Sequence, residues 1–242
     1  MAIPKKIHYC WFGYGQMPEL AVQCLSSWKK HLPDYELILW NEYNFDINSN
    51  YYVKEAYETK KYAFVTDYVR LYALYHFGGI YMDTDVEVLK PLDCFLKHRA
   101  FTGCENENLC VTGIIASEKN HPWIKKLLDD YKDKHFILAD GKLSLTTNTQ
   151  RITKITVGEY GWLPENRQQI LKDGLYIYPF DFFCAKDYKT GKLEATNNTY
   201  TIHHFSGSWH SNKDKLKAKI IKILGPEITK IIVKYKNKAR GL

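Results

Sequence analysis

Residues 61–86, KYAFVTDYVRLYALYHFGGIYMDTDV, constrain this chain more than any other stretch. From Tyr62 to Phe77, apolar and aromatic side chains fall on nearly every side of a 3.6-residue helix, the pattern of a helix surrounded by protein. Asp67 and Arg70 interrupt that surface on adjoining turns, and charges so placed need compensation. They pair either with each other and the nearby backbone or with a ligand. Gly78-Gly79 ends the helix, and Ile80 opens a short strand that leads to Asp83 and Asp85. Read as extended chain, these two carboxylates share a parity and point to one side, with Cα atoms about 7 Å apart. A hard divalent cation would relieve the repulsion between them.

The elements around this block alternate. Lys6 to Phe12 reads as a strand, GYGQMP as a glycine-broken loop, and Pro18 to about His31 as a helix with Leu20, Cys24, Leu25 and Trp28 on its apolar stripe. Tyr35 to Trp40 follows as a second strand, completing a βαβ unit and implying parallel pairing. Further on, the patterns predict strands at Ala100–Cys104, Cys110–Ala116, Tyr176–Phe183 and Tyr200–Phe205, and a helix at Pro122–Tyr131. Asp140 to Thr153 is polar, a mixture of loop and helix. The expected fold is a single α/β domain over 1–212, with a central mostly parallel sheet flanked by helices.

Charge separates the remaining 30 residues from that body. Of the 34 Lys and Arg, 10 lie within 213–242, together with 2 of the 27 Asp and Glu. The body is therefore near neutral, which argues against a protein that coats nucleic acid. The basic residues alternate with Leu216, Ile220, Ile223 and Leu224, so 213–242 reads as a basic amphipathic helical extension. It is suited either to anionic lipid, at about 1 kcal/mol per lysine near the surface, or to packing on the domain. Without an apolar leader or an 18-residue apolar run, the expected location is the cytoplasm, peripheral on the inner face of the cell membrane. The six cysteines have no metal-site spacing and are expected to be reduced.

The third polar cluster is HHFSGSWH, His203 to His210. Its histidines are either strand-edge core residues or imidazole ligands, which suit manganese better than calcium. Trp209 is either a core plug or an indole N–H donor. Gly207 permits close approach of an anionic ligand.

Taken together, IPKKIHYCWFG, AFVTDYVRLYALYHFGGIYMDTDV and HHFSGSW resemble the Asp-x-Asp glycosyltransferases. That family includes capsule and O-antigen sugar transferases, yeast-type initiating mannosyltransferases and the catalytic domains of clostridial glucosylating toxins. The resemblance implies a GT-A-like fold, a nucleotide-sugar donor, Mn²⁺ or Mg²⁺, and retention of anomeric configuration. On this chain it implies that Trp11 stacks on the donor base and that Asp67 and Arg70 hold the donor sugar and its diphosphate. It further implies Asp83, Asp85 and His204 at the metal, Asp83 also contacting the donor, and Trp209 donating to the β-phosphate.

The function expected from this is transfer of a hexose or N-acetylhexosamine, from a UDP-sugar in preference to a GDP-sugar. The expected acceptor is a lipid-linked oligosaccharide of bacterial capsule or O-antigen synthesis. Two alternatives use the same residues. One is a metal-dependent phosphohydrolase or nucleotidyltransferase; the other is a carbohydrate- or membrane-binding module in which the carboxylates serve structure alone.

Overall fold

In a computed structural model of the chain, the described residues are 2–111 and 113–207. Trp209 and the basic stretch 213–242 lie outside them. The compact unit runs Met1–Ser206.

The first βαβ unit forms as its pattern predicts. Strand β1 (Lys6–Cys10) is followed by helix α1 (Glu19–His31), entered through Pro18, and by strand β2 (Glu36–Trp40). Strands β1 and β2 pair in parallel from Lys6↔Glu36 to Cys10↔Trp40. Helix α1 buries Cys24 and Trp28, and the Trp28 indole N–H donates to the Val86 carbonyl at 2.7 Å. Helix α2 (Tyr51–Glu58) is capped by the Asn50 side chain, which accepts from the Val53 N–H.

Helix α3 spans Tyr62–Phe77 and is followed by strand β3 (Gly79–Met82). The join requires glycine. Gly78 and Gly79 have φ of 64° and 118°, and a Cβ on Gly79 would stand 2.7 Å from the Lys6 carbonyl. That closeness lets β3 lie directly against β1, with which it pairs in parallel at Ile7↔Ile80 and His8↔Tyr81. His8, fully buried, secures the join. Its Nε2 is 2.8 Å from the Gly78 carbonyl, and its Nδ1 accepts the Trp40 indole N–H. Burial lowers the His8 pKa, so the ring is neutral, as that acceptor role requires.

After β3 the chain forms β4 (Val86–Val88), β5 (Ala100–Gly103), β6 (Ile114–Ser117), helices α4 (Pro122–Asp129) and α5 (Asn148–Tyr160), then β7 (Gln169–Leu171) and β8 (Leu175–Tyr178). A short helix α6 (Phe180–Phe183) and strand β9 (Thr201–His203) complete the described part. The seven-stranded sheet has the order β2-β1-β3-β6-β5-β8-β7. The domain is the expected α/β arrangement, and its central sheet is mixed. β1 pairs in parallel with β2 and β3, and β5 with β8, while β6 and β7 run antiparallel to their neighbours.

Three expectations differ from the structure. Tyr176–Phe183 is not one strand: Pro179, which cannot donate to a ladder, divides β8 from α6. Cys110–Ala116 enters the sheet only at Ile114. The Asp83–Asp85 segment is not extended: β3 ends at Met82, and the Val86 N–H turns back to the Asp83 carbonyl at 3.0 Å. Among the described residues no helix is long and apolar enough to cross a membrane.

Candidate active site

The parallel pairing of β1 and β3 puts their C-terminal ends side by side, the edge at which α/β sheets present ligand-binding residues. Trp11 follows β1 there, its N–H extending the pairing to the Trp40 carbonyl at 3.0 Å. Its ring is half-buried, and its indole N–H donates to the Gly15 carbonyl. From β3, Asp83 and Asp85 emerge at the same edge.

The α3 charges reach this edge from below. Asp67 and Arg70 are only 8% and 6% exposed, yet neither is isolated. Arg70 Nη2 lies 3.3 Å from Asp67 Oδ1 and 3.2 Å from Asp83 Oδ1. Its Nε donates to the Thr66 carbonyl, and the guanidinium sits 4.4 Å above the Tyr81 ring. Tyr81 in turn donates its hydroxyl to Asp83 Oδ1 at 3.0 Å. One guanidinium is thus shared by two carboxylates and stacked on an aromatic face, which a lysine could not reproduce. Burial disfavours the Arg70 charge, but Asp83, Tyr81 and Asp67 more than offset it and hold the group ionised. Burial pushes the Asp67 carboxyl up to about 7 against the pull of Arg70.

On the far side of the turn, β9 pairs with β4 in the register Val86↔His203 and Glu87↔Ile202. His203 Nε2 lies 3.3 Å from Asp85 Oδ1 and 4.0 Å from Asp83 Oδ2. The Ser206 N–H donates to Asp85 Oδ2 at 2.7 Å. Burial works against ionisation of Asp85, but His203 and the Ser206 N–H outweigh it and hold the carboxyl well below its usual range. The same contact, with Asp83 adding to it, overcomes desolvation and raises His203 well above its ordinary value.

Asp83, Asp85 and His203 each offer a ligand atom, and these atoms lie within 4.8 Å of one another. The histidine brought to the carboxylates is therefore His203 and not the expected His204. The latter places Nε2 2.9 Å from Glu87 Oε2. The register explains the exchange: Glu87 and His204 share one face of the two-stranded pair, while Val86 and His203 share the other. Asp85, being in a turn, leaves the pleat and meets His203. Room for that imidazole comes from Gly113, where a Cβ would stand 2.7 Å from Val86 Cγ2 and 3.2 Å from His203 Cγ.

Sequence reasoning also missed Tyr81, Ser206 and Gly113. Tyr81 had a usable signal, since it lies two residues before Asp83 and shares its parity. Ser206 acts through its backbone, and Gly113 through the side chain it lacks, so neither advertises itself by residue type.

Residues 18–102 match the family described as a glycosyltransferase sugar-binding region containing a DXD motif. Inositol phosphoceramide mannosyltransferase 3 of Schizosaccharomyces pombe is 30% identical over 131 residues, covering 52% of this chain and 36% of the relative. An uncharacterized glycosyltransferase, L373, of Acanthamoeba polyphaga mimivirus is 27% identical over 220 residues, covering 86% of this chain and 84% of its own length. Among solved structures, PaToxG glycosyltransferase superposes with a TM-score of 0.45 at 19% identity, over 65% of this chain and 70% of that one. The chain spans less than two thirds of the length of the first fungal relatives, 36% and 59% in two of them. The matched region contains Asp67, Arg70, Asp83 and Asp85, and the chain is related to DXD-motif glycosyltransferases of fungal and viral origin.

Proposed function

We propose that this chain is a retaining glycosyltransferase that moves a hexose or N-acetylhexosamine from a nucleotide sugar, preferably UDP-linked, to a hydroxyl of a lipid-linked oligosaccharide. The observation that carries this reading is the convergence of Asp83, Asp85 and His203 beside Arg70 at the C-terminal edge of β1 and β3. Two carboxylates and an imidazole form a mixed oxygen and nitrogen donor set that suits Mn²⁺ and also admits Mg²⁺. Asp85 is held in the ionised form that a ligand must have, and a cation bound there takes the place of the proton that the same contact favours on His203. A divalent cation held there supplies charge neutralisation for a diphosphate leaving group.

The other roles follow from position. Arg70 is pinned by Asp67, Thr66 and Tyr81 and so presents a preorganised positive charge to the diphosphate. Trp11, at the adjoining strand end, is assigned to the nucleotide base, and Trp209 to a phosphate oxygen through its indole N–H. Departure and attack on one face of the sugar account for retention without a covalent nucleophile; trapping of a glycosyl-enzyme adduct would contradict this. The resemblance to capsule and O-antigen transferases supports a bacterial envelope polymer as the pathway. The basic stretch 213–242 is assigned to the anionic inner membrane surface. Co-sedimentation with phosphatidylglycerol liposomes should be lost when it is removed, and equal sedimentation would remove the assignment.

The test of the activity is an assay of UDP-glucose, UDP-galactose, UDP-N-acetylglucosamine and GDP-mannose with Mn²⁺. Asp85→Ala is expected to lower turnover about 10³-fold, the scale of a lost metal ligand. Wild-type turnover in that variant overturns the assignment. Release of inorganic phosphate or pyrophosphate without sugar transfer would place the chain among phosphohydrolases or nucleotidyltransferases.

A further inference from the structure

A cavity of about 360 Å³ lies beyond the His203 side of the cluster. Its walls include Glu105, Glu107, Phe180, Cys184, Tyr188 and Glu194. Two observations tie it to the reacting centre. The Tyr188 ring packs edge-on against Phe205 at 5.3 Å, and Phe205 lies 4.0 Å from the His203 ring. Glu105 is close enough to both Asp83 and His203 for their charges to act on it. The cavity is therefore one ring away from the ligand cluster.

The lining is distinctive in what its polar groups lack. Glu194 is paired with Lys192 at 2.7 Å, and Asp187, also in the wall, accepts from the Thr190 N–H and hydroxyl. The half-buried Glu105 and the exposed Glu107 have no side-chain hydrogen bond or ion pair among the described residues. A carboxylate offers acceptors only, and a half-buried one without a donor favours a ligand rich in O–H groups. Phe180 and the exposed Tyr188 offer flat apolar faces, matching the C–H face of a pyranose. Among the described residues a phosphate group would instead meet four carboxylates, one of them paired with Lys192, against the lining ammonium of Lys189, a like-charge arrangement that disfavours it.

Resting on the glycosyltransferase reading above, we infer that this cavity is the acceptor site and that it takes an uncharged sugar residue, with Glu105 accepting a hydrogen bond from the acceptor hydroxyls and Tyr188 stacking on the ring. The transfer then balances simply. The acceptor hydroxyl oxygen bonds to the anomeric carbon as the bond from that carbon to the diphosphate oxygen breaks. The electron pair stays on the diphosphate, and the hydroxyl proton passes to the released oxygen. This separates the chain's acceptor from the inositol phosphoceramide, an anionic lipid, for which its fungal relative is named.

The experiment measures donor hydrolysis and sugar transfer together, with the four sugar nucleotides above and Mn²⁺. Acceptors are methyl α-glucoside, methyl α-mannoside and lactose, against phosphatidylinositol in detergent micelles and cadaverine. Transfer to at least one uncharged sugar should exceed transfer to phosphatidylinositol tenfold or more. The ratio of transfer to hydrolysis should fall about tenfold in Glu105→Gln and in Tyr188→Ala, mainly through the acceptor KM. Tyr188 is exposed, so its variant keeps the test open if Glu105→Gln folds poorly. Transfer only to the phospholipid or the amine, transfer to no uncharged sugar despite measurable hydrolysis, or an unchanged ratio in both variants overturns the acceptor inference alone. A wild-type chain that hydrolyses no sugar nucleotide overturns the underlying reading and this inference with it.

Discussion

The two sides of the Asp83–Asp85 turn are built differently. On the Arg70 side the charges are shared: one buried guanidinium serves the buried Asp67 and the half-buried Asp83 and lies over Tyr81. On the His203 side the partners arrive from a distant strand. There Phe205 holds a left-handed φ of 53°, and His203 Nδ1 is buried without a hydrogen-bond partner among the described residues. The first side is part of the core and supports the fold as well as the site. The second combines a left-handed non-glycine residue with a ring nitrogen that has no partner among the described residues, a strain associated with function rather than stability.

The comparison is broken most severely from the Arg70 side. Arg70→Ala leaves the buried Asp67 and the half-buried Asp83 without their shared cation and should cost about 3–5 kcal/mol of unfolding free energy, read by urea denaturation. Arg70→Lys should recover only part of that, because a point charge cannot serve both carboxylates and the Tyr81 face. A loss below about 1 kcal/mol in the alanine variant would mean that the charges relax into water. Next in size, Gly79→Ala should destabilise by about 1–3 kcal/mol through its positive φ and the approach to the Lys6 carbonyl. His8 should then lose its contact with Gly78, visible as a shift of its imidazole resonances.

A pH series sharpens the same contrast. Asp67 titrates near 7 in the fold and near 3.9 unfolded. Below about pH 4 both states are protonated and ionising Asp67 costs nothing. Between about 4 and 7 the unfolded chain loses the proton first, so stability falls as pH rises. Asp67→Asn should flatten that part of the profile, and an unaltered slope would contradict it. The smallest effect lies away from both sides. Thr147 caps α5 through a reciprocal pair with Gln150, and Thr147→Ala should cost about 1 kcal/mol without altering nucleotide binding.

How much was legible in the sequence follows the same division. Helix α3 has the predicted limits, Tyr62–Phe77, because its burial pattern and terminal glycines are local signals. The nearness of Asp67 and Arg70, three residues apart on one helix, was legible for the same reason, whereas the reach of Arg70 to Asp83 was not. The choice between His203 and His204 was not. It depends on the β4–β9 register across more than a hundred residues and on a turn that takes Asp85 out of the pleat. Glu105 belongs to the same class: its significance is the lack of a side-chain partner among the described residues, which only the folded chain reveals. Trp209 and the basic stretch 213–242 lie outside the described residues.

The central claim is that Asp83, Asp85 and His203 form one divalent-cation site for a nucleotide. It is tested most directly by calorimetric titration of UDP in the presence and absence of Mn²⁺, on the wild-type chain and on His203→Ala and His204→Ala. Mn²⁺ should tighten UDP binding at least tenfold in the wild type and in His204→Ala, and that gain should vanish in His203→Ala. Loss of the gain in His204→Ala with its retention in His203→Ala would contradict the account.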